Sequence, residues 1–472
     1  MAPPCCNGAL AAWPQARPPV SALPSLLCWP CLQQPYTEPL AALRRFTVDS
    51  SWNWLRPGGS CVRIDPEDSA SNMDRPRLAR PGEFAEAMRF TDMVFRPGQN
   101  GRLIVQRQYP HAYRDTPEYE RRLLLVRDEG QVVGCLAIHP MTIRVEEARL
   151  TTGGIGIVGT HPRRRGEGIM SAMLDDAIRR MERSGFALSV LGGDRQRYGW
   201  FGWEDGGAKN AFELTTRLLG APSPSEAALQ LQRFSSTTSE ALCRRLRRLT
   251  SSRPYWVERS LVDVAPLFDR RDRETWVCEA GGRLAYVTCG GPDRQPRPYQ
   301  RIDEIGGDGE LALGMVRNLM RRYRLDRLTA TTGPNPDEVS LVQPFSSNWR
   351  RTPDCMIKII DLATLVEQLR AVLLRRARRA RVGGTFQLEM TDSKQLALLK
   401  LGRGPRHRLA MPDRSFVHLF FGMLPLAESL AATASPSSAA ASFRPAVGGR
   451  AALRKLADIL PLPFYIPPLN HI

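Results

Sequence analysis

Downstream of residue 122 the apolar positions fall into short runs separated by polar, glycine-bearing turns. Leu123–Val126 and Val132–Ile138 are two such runs. Asp128-Glu-Gly-Gln131 joins them, and the pattern predicts a hairpin whose glycine supplies positive φ. A third strand is expected over Ile155–Thr160, after Gly153-Gly154. A helix over about 168–184 follows, stopped by Gly185, and then a strand over Phe186–Leu191. Ile169, Met173, Leu174, Ala177, Ile178 and Met181 recur at helical spacing and share one face. Asp175/Arg179 and Asp176/Arg180 add ion-pair support along the same helix. Upstream, Glu83–Phe95 is a further amphipathic segment.

Residues 212–360 repeat the hairpin–helix–strand order with weaker punctuation. Thr275–Cys278 and Leu284–Cys289 flank Gly281-Gly282, a helix is expected over Gly309–Arg322, and a strand around Arg327–Thr332. From Asp354 the pattern becomes a helix (about 361–380), strands at 385–391 and 396–402, and an apolar segment at 415–427. The Ala/Ser stretch Ala431–Ser442 is expected to be a surface loop. Strands alternating with helices predict an α/β (α+β) chain.

Residues 1–72 break this pattern. They hold eleven prolines and four of the nine tryptophans, and their charges cancel. They are expected to be a disordered or non-native extension, with Met73 the functional start. Cys28-Trp-Pro-Cys31 has redox spacing, but that chemistry needs the motif at a helix top in a βαβ unit, and none is readable there.

At 472 residues the chain holds about three domains. The boundaries expected are 1–72 for the extension, then 73–211, 212–360 and 361–472. With 42% hydrophobic and 24% charged residues it is not a disordered polyampholyte. No apolar run approaches the roughly 18 residues of a spanning helix, so no membrane partner is expected. The net charge is +18, yet only five of the 66 basic residues are lysines. That bias reflects arginine-rich codon usage as much as function, so it weighs little as evidence for nucleic acid. Arg244–Arg248 and Arg375–Arg381 are expected to be solvated helix ends, where cations suit the dipole. Ten scattered cysteines fit the reducing cytoplasm. The six histidines show no metal-ligand spacing, and no metal is expected.

The sharpest chemical signal is Ile157-Val-Gly-Thr-His-Pro-Arg-Arg-Arg-Gly-Glu-Gly-Ile-Met-Ser171. A strand ends, arginines and glycines follow, and a helix begins. Glycines let backbone close around a ligand, and helix N-terminal amides favour an anion such as a diphosphate. Gly156 and Gly159 are costly inside a strand unless something approaches the backbone closely, and a long ligand arm would do so. An ordinary strand–turn–helix with a solvated basic turn satisfies the same spacing.

Val158-x-Thr-x-Pro-x-x-Arg-Gly-x-Gly-Ile resembles the acetyl-CoA signature of the GNAT acyltransferases. The resemblance implies cofactor contacts from Val158, Gly159, Thr160, Arg165, Gly166, Glu167, Gly168, Ile169, Met170 and Ser171. Met170 stands where that family usually has Gly or Ala. Gly192-Gly-Asp-Arg-Gln-Arg-Tyr-Gly-Trp-Phe-Gly-Trp203 resembles a segment of the Eis (enhanced intracellular survival) subfamily. This adds Gly193 and Asp194 to the cofactor set and implies that Tyr198 protonates the departing thiolate. Tyr198 could also be a packing residue beside Trp200, Phe201 and Trp203.

The end of the chain, Leu460-Pro-Leu-Pro-Phe-Tyr-Ile-Pro-Pro-Leu-Asn-His-Ile472, is apolar and stiffened by proline, and is expected to be docked. In Eis-type enzymes a terminal carboxylate is the general base, which implies that role for Ile472, with His471 the chemical rival. The same resemblance implies tandem GNAT folds, the second lacking the cofactor loop, followed by a domain like sterol carrier protein 2. The function implied is acetyl transfer from acetyl-CoA to an amine acceptor, with no nucleic acid, no membrane, and self-association left open. The alternatives are a sterol-, lipid- or ligand-binding protein with a vestigial GNAT site, and a basic nucleic-acid-binding protein.

Overall fold

The computed structural model describes residues 74–98, 104–235, 237–270, 272–290, 300–426 and 449–472. The expectations for residues 1–72, Met73 and Ala431–Ser442 lie outside the described residues.

The first strands are β1 (Arg77–Leu78), β2 (Leu123–Asp128), β3 (Gln131–Val145), β4 (Ala148–Thr160), β5 (Leu188–Leu191) and β6 (Glu204–Gly206). Next come β7 (Lys209–Thr215), β8 (Gln232–Arg233), β9 (Tyr255–Val257), β10 (Arg273–Ala280) and β11 (Arg283–Gly290). They are followed by β12 (Arg301–Gly307), β13 (Arg327–Thr332), β14 (Ser346–Thr352) and β15 (Cys355–Ile359). The last are β16 (Thr385–Met390), β17 (Leu396–Lys400) and β18 (Arg406–Met411).

These strands form two large mixed sheets and a small one. The first has the order β1-β2-β3-β4-β5-β15-β6, with β9 added to β3. The second runs β14-β7-β13-β12-β11-β10-β8, and the third β17-β16-β18. With helices against the sheets, this is the α/β class expected. The large sheets exchange strands: the chain leaves the first after β6, enters the second as β7, lends β9 back to the first beside β3, and returns after β14 as β15, between β5 and β6. Nothing local in Cys355-Met-Ile-Lys-Ile359 distinguishes a strand of one sheet from a strand of the other.

Each face of the first sheet carries a helix because its strands are apolar on both sides. Leu124, Val126 and Ile155 pack against Met173 and Leu174 of α2 (Ile169–Arg183). Leu123, Leu125 and Cys135 pack against Phe84 and Met88 of α1 (Phe84–Phe95). In the second sheet α3 (Gly309–Tyr323) takes the place of α2. The third layer is built from α4 (Leu362–Ala380), α5 (Asp413–Phe421) and α6 (Gly449–Leu456) around the small sheet. Its core is continuous with Ile143, Leu150 and Leu188 of the first sheet.

Two readings are corrected here. β4 starts at Ala148, not Ile155, and Gly153-Gly154 lies within it. Bare backbone is needed at both: a Cβ at Gly153 would strike Met181 of α2, and one at Gly154 would meet Ile472. Arg375 and Arg376, at the end of α4, are not merely solvated. Arg375 pairs with Glu146 and Glu147, and Arg376 pairs with Glu146 and donates to the Ile459 carbonyl at 3.2 Å. They tie α4 to the β3–β4 turn.

Candidate active site

β4 and β5 run parallel and pair from Thr152↔Leu188 to Ile155↔Leu191. β5 then stops while β4 continues along β3 to Thr160, which opens a wedge on the β5 side. At the mouth of the wedge Ile157 has φ of 46°. A β-branched residue there costs on the order of 1–3 kcal/mol and marks a bulge. The register with β3 slips between Cys135 and Ala137 at the same place. As a result Ile157 packs on the α1 side and Val158 on the α2 side. Beyond Leu191 the β4 backbone edge through Val158, Gly159 and Thr160 has no strand beside it on the wedge side among the described residues.

Past Thr160 the loop turns through Pro162–Arg164 and reaches α2 by way of Gly166 (φ 88°) and Gly168 (φ 77°). A Cβ at either glycine would meet nothing within 4 Å, so backbone conformation, not packing, requires them. Gly168 caps α2 with no side chain, leaving the amides of Ile169, Met170 and Ser171 without a capping acceptor. Arg164 is occupied: it pairs with Asp128, and with Glu167 at 2.7 Å. Arg163 and Arg165 are exposed and have no ion pair among the described residues. Met170 leans onto the Leu124 and Val126 cluster, so its bulk lies against the core.

The second sheet offers a contrast. β12 ends at Gly307 and α3 begins at Gly309, with Asp308 between them accepting the Leu311 amide at 2.8 Å. There is no room for a loop, and the helix end already carries an anion.

Tyr198 lies just beyond β5. Gly192 and Gly193 turn the chain, and Asp194 caps the short helix Arg195–Tyr198 by accepting the Gln196 amide at 2.8 Å. The Tyr198 ring lies so close on Gly193 that a Cβ there would overlap it. Only 7% of Tyr198 is exposed, and burial raises its pKa, so the phenol holds its proton at neutral pH. It joins the cluster under α2 with Trp203 and Leu191, so it packs there.

The chain end is docked. Leu462 donates to Phe420 at 2.7 Å, Ala208 donates to Phe464 at 3.0 Å, and the Ile466 amide donates to Asp354 Oδ2 at 2.7 Å. Arg270 donates to the Leu469 carbonyl at 3.2 Å. Arg259, paired with Glu304 at 2.7 Å, also holds Asn470 Oδ1. These contacts lead Ile472 onto β4, where its Cδ1 would lie 2.5 Å from a Cβ at Gly154. Gly154 pairs with Val190, one rung before the wedge opens. Tyr198 thus packs in the cluster on the α2 face of the first sheet, and Ile472 against the cluster on the α1 face. His471 is aimed elsewhere: its Nε2 lies 3.1 Å from the Ile466 carbonyl, and burial lowers its pKa to about 4.

The close approach inferred at Gly156 also has a different origin. Tyr113 fills the space over Gly156, and Phe95, Val94 and Phe90 make ordinary contact at Gly159. The α1 face of β4 is covered by the protein's own side chains. Sequence reasoning missed Tyr113, His139 and Asp354. The alternation Gly154-x-Gly156 was the available signal, since it clears one face of the strand.

Asp354 gives a pH-dependent prediction. It is fully buried between the exchanged strands, and burial raises its pKa to about 6, with Lys209 at 3.9 Å and the Ile466 amide opposing. The unfolded carboxyl titrates near 3.9, so the native state loses stability at this site as pH rises from about 4 to about 6. Above that, the ionised group costs about 3 kcal/mol. Asp354→Asn keeps an acceptor for Ile466 and removes the charge. It is expected to melt higher than the wild type at pH ~8 and to lose that advantage at pH ~4. A lower melting temperature at pH ~8 would contradict this.

Residues 75–206 match the family model described as acetyltransferase (GNAT) domain. No curated protein matches the sequence. Among solved structures, the chain is similar to a GCN5-related N-acetyltransferase from Anabaena variabilis, with TM-score 0.61 and 15% identity. That match covers 85% of this chain and 100% of the other. A GCN5-related N-acetyltransferase from Kribbella flavida gives 0.57 and 16%, over 85% and 99%. Eis1 from Mycobacterium abscessus gives 0.54 and 13%, over 83% and 99%. The fold is shared along nearly the whole length of each. The chain carries a GNAT acetyltransferase domain and is an acyltransferase.

Proposed function

We propose that the protein transfers the acetyl group of acetyl-CoA to an amine in a ternary complex, in the manner of the Eis type. The observation that carries this is the uncapped N-terminus of α2, with Gly166 and Gly168 at positive φ and, beside it, Arg163 and Arg165 without an ion pair among the described residues. Such an end receives a diphosphate through backbone amides and dipole. Val158, Gly159 and Thr160 would hold the pantetheine arm along the free edge of β4, with the loop from Arg165 to Ser171 on the phosphates and Gly193-Asp194 closing the far side. The amine nitrogen bonds to the thioester carbonyl carbon, the C–S bond breaks, and the thiolate takes the Tyr198 proton. The nitrogen, made acidic by acylation, gives its proton to the carboxylate of Ile472. The layer around β16–β18 is the sterol-carrier-like part and buttresses the docked end. The site of action is the cytoplasm, in keeping with five described cysteines, all free.

Thiol release from acetyl-CoA across a panel of amines tests the reading; no release with any amine would end it. Gly168→Asp puts a carboxylate where phosphate is to sit, and acetyl-CoA affinity is expected to fall at least tenfold, or about 1.4 kcal/mol. Unchanged affinity by calorimetry, with the circular dichroism of the wild type, would reject the loop as the phosphate site.

A further inference from the structure

Beside the Ile472 side chain, on the α1 face of β4, lies a group of buried polar atoms without partners. Tyr113 Oη and both ring nitrogens of His111 and His139 are buried and make no hydrogen bond. Tyr113 is 1% exposed and His139 3%. Their rings meet edge to face at 5.0 Å, and Tyr109 lies 6.4 Å from both His111 and Tyr113. Tyr113 and His139 converge over Gly156, where a Cβ would sit 2.5 Å from Tyr113 Oη and 3.5 Å from His139 Nε2. Interiors rarely leave one such atom unpaired, and five together mark a site that something else completes.

We infer that His111, Tyr113 and His139 form a subsite for the acceptor, and that it takes an uncharged hydrogen-bonding group, a hydroxyl or amide, carried near the reacting amine. The inference rests on the acetyl-transfer reading for the identity of the ligand, while the unpartnered cluster stands by itself. Each neutral imidazole offers one donor and one acceptor, and the phenol offers both, which matches a group that itself donates and accepts. Burial keeps both imidazoles neutral, lowering His139 to about 3 and His111 well below its usual value.

The surrounding charges exclude the other classes. The side chains that bear on His111 are Arg270, Arg259 and Arg114, all cations, with neutral His139 beside them. Among the described residues the cluster itself holds no side-chain carboxylate, and the Ile472 carboxylate beside it is taken up by the reacting amine. A diamine would therefore give up the hydration of its distal cation without compensation. An acceptor carboxylate fares no better, because each arginine already has one: Arg259 has Glu304, Arg270 has Asp272 and Arg114 has Asp263.

Four amines of matched length separate these cases in a thiol-release assay on the full chain: propylamine, propanolamine, diaminopropane and β-alanine. Propanolamine is expected to have the highest kcat/KM, at least about tenfold above propylamine. Tyr113→Phe should bring that ratio toward one, and His139→Leu, read alongside melting temperatures, serves if the first variant fails to fold. Equal kcat/KM across the panel, or preference for the diamine or β-alanine, would overturn the subsite. Calorimetric titration of propanolamine into the CoA-saturated protein reads the cluster without turnover. Binding weakened about tenfold by Tyr113→Phe supports the subsite even if no amine releases thiol, a result that would remove the acetyl-transfer reading alone. Binding that Tyr113→Phe leaves unchanged would overturn the subsite whatever the turnover.

Discussion

Appending a single glycine to Ile472 is expected to reduce acetyl transfer by about a hundredfold or more while leaving the melting temperature near that of the wild type. The added residue moves the terminal carboxylate by about 3.5 Å. Near-attack geometry tolerates far less, since about 1 Å of misplacement can cost 10²-fold. The approach to Ile472 is fixed by Arg270 on Leu469, Arg259 on Asn470 and Asp354 on Ile466, none of which the extension touches. Ile472→Val, by contrast, keeps the carboxylate in place and removes one methylene over Gly154, so most activity should remain. His471→Ala tests the rival base, whose Nε2 is already directed at the Ile466 carbonyl. Catalysis largely retained in His471→Ala, together with loss in the extended protein, is the expected pair of results. Full activity in the extended protein would end the carboxylate role.

The contrast between the docked end and its partners shows how far local sequence reaches. A proline-stiffened apolar terminus announces that it is buried, because leaving Phe464, Tyr465 and Leu469 in water would cost several kcal/mol. It does not announce where. Arg259 and Asn470 are 211 residues apart, and Ile466 and Asp354 are 112 apart. The glycine loop was legible for the opposite reason: the strand end, the two positive-φ glycines and the helix start are contiguous, so their chemistry lies in one stretch of chain. β4 was read too short because its glycines resemble a break until Met181 and Ile472 are seen against them. The insertion of β15 beside β5 was illegible, since register across sheets is chosen by tertiary packing and not by the strand's own residues. The bulge at Ile157 was equally hidden, for no sequence rule places a β-branched residue at positive φ.

Tyr198→Phe is expected to lower kcat by about 10²–10⁴-fold, the usual contribution of a positioned general acid. The substitution removes one oxygen and keeps the ring on Gly193 and against Trp203, so the packing that Tyr198 shares with Leu191 survives. A phenol suits this role because of its resting state. Burial raises the Tyr198 pKa, so essentially all of it is protonated at neutral pH, and the proton is given up only as negative charge develops on sulfur. The pH profile follows with a definite sign: activity that depends on the protonated phenol should persist on the alkaline side to above pH ~10 and fall only where Tyr198 ionises. In the Phe variant that alkaline limb should disappear, and acetyl-CoA affinity should change little, because on the proposed reading the diphosphate would be held at the other end of the wedge. If kcat is retained and only the melting temperature drops, Tyr198 is a packing residue and the thiolate takes its proton from elsewhere. A fall in kcat with the melting temperature held within a few degrees assigns the proton to this hydroxyl.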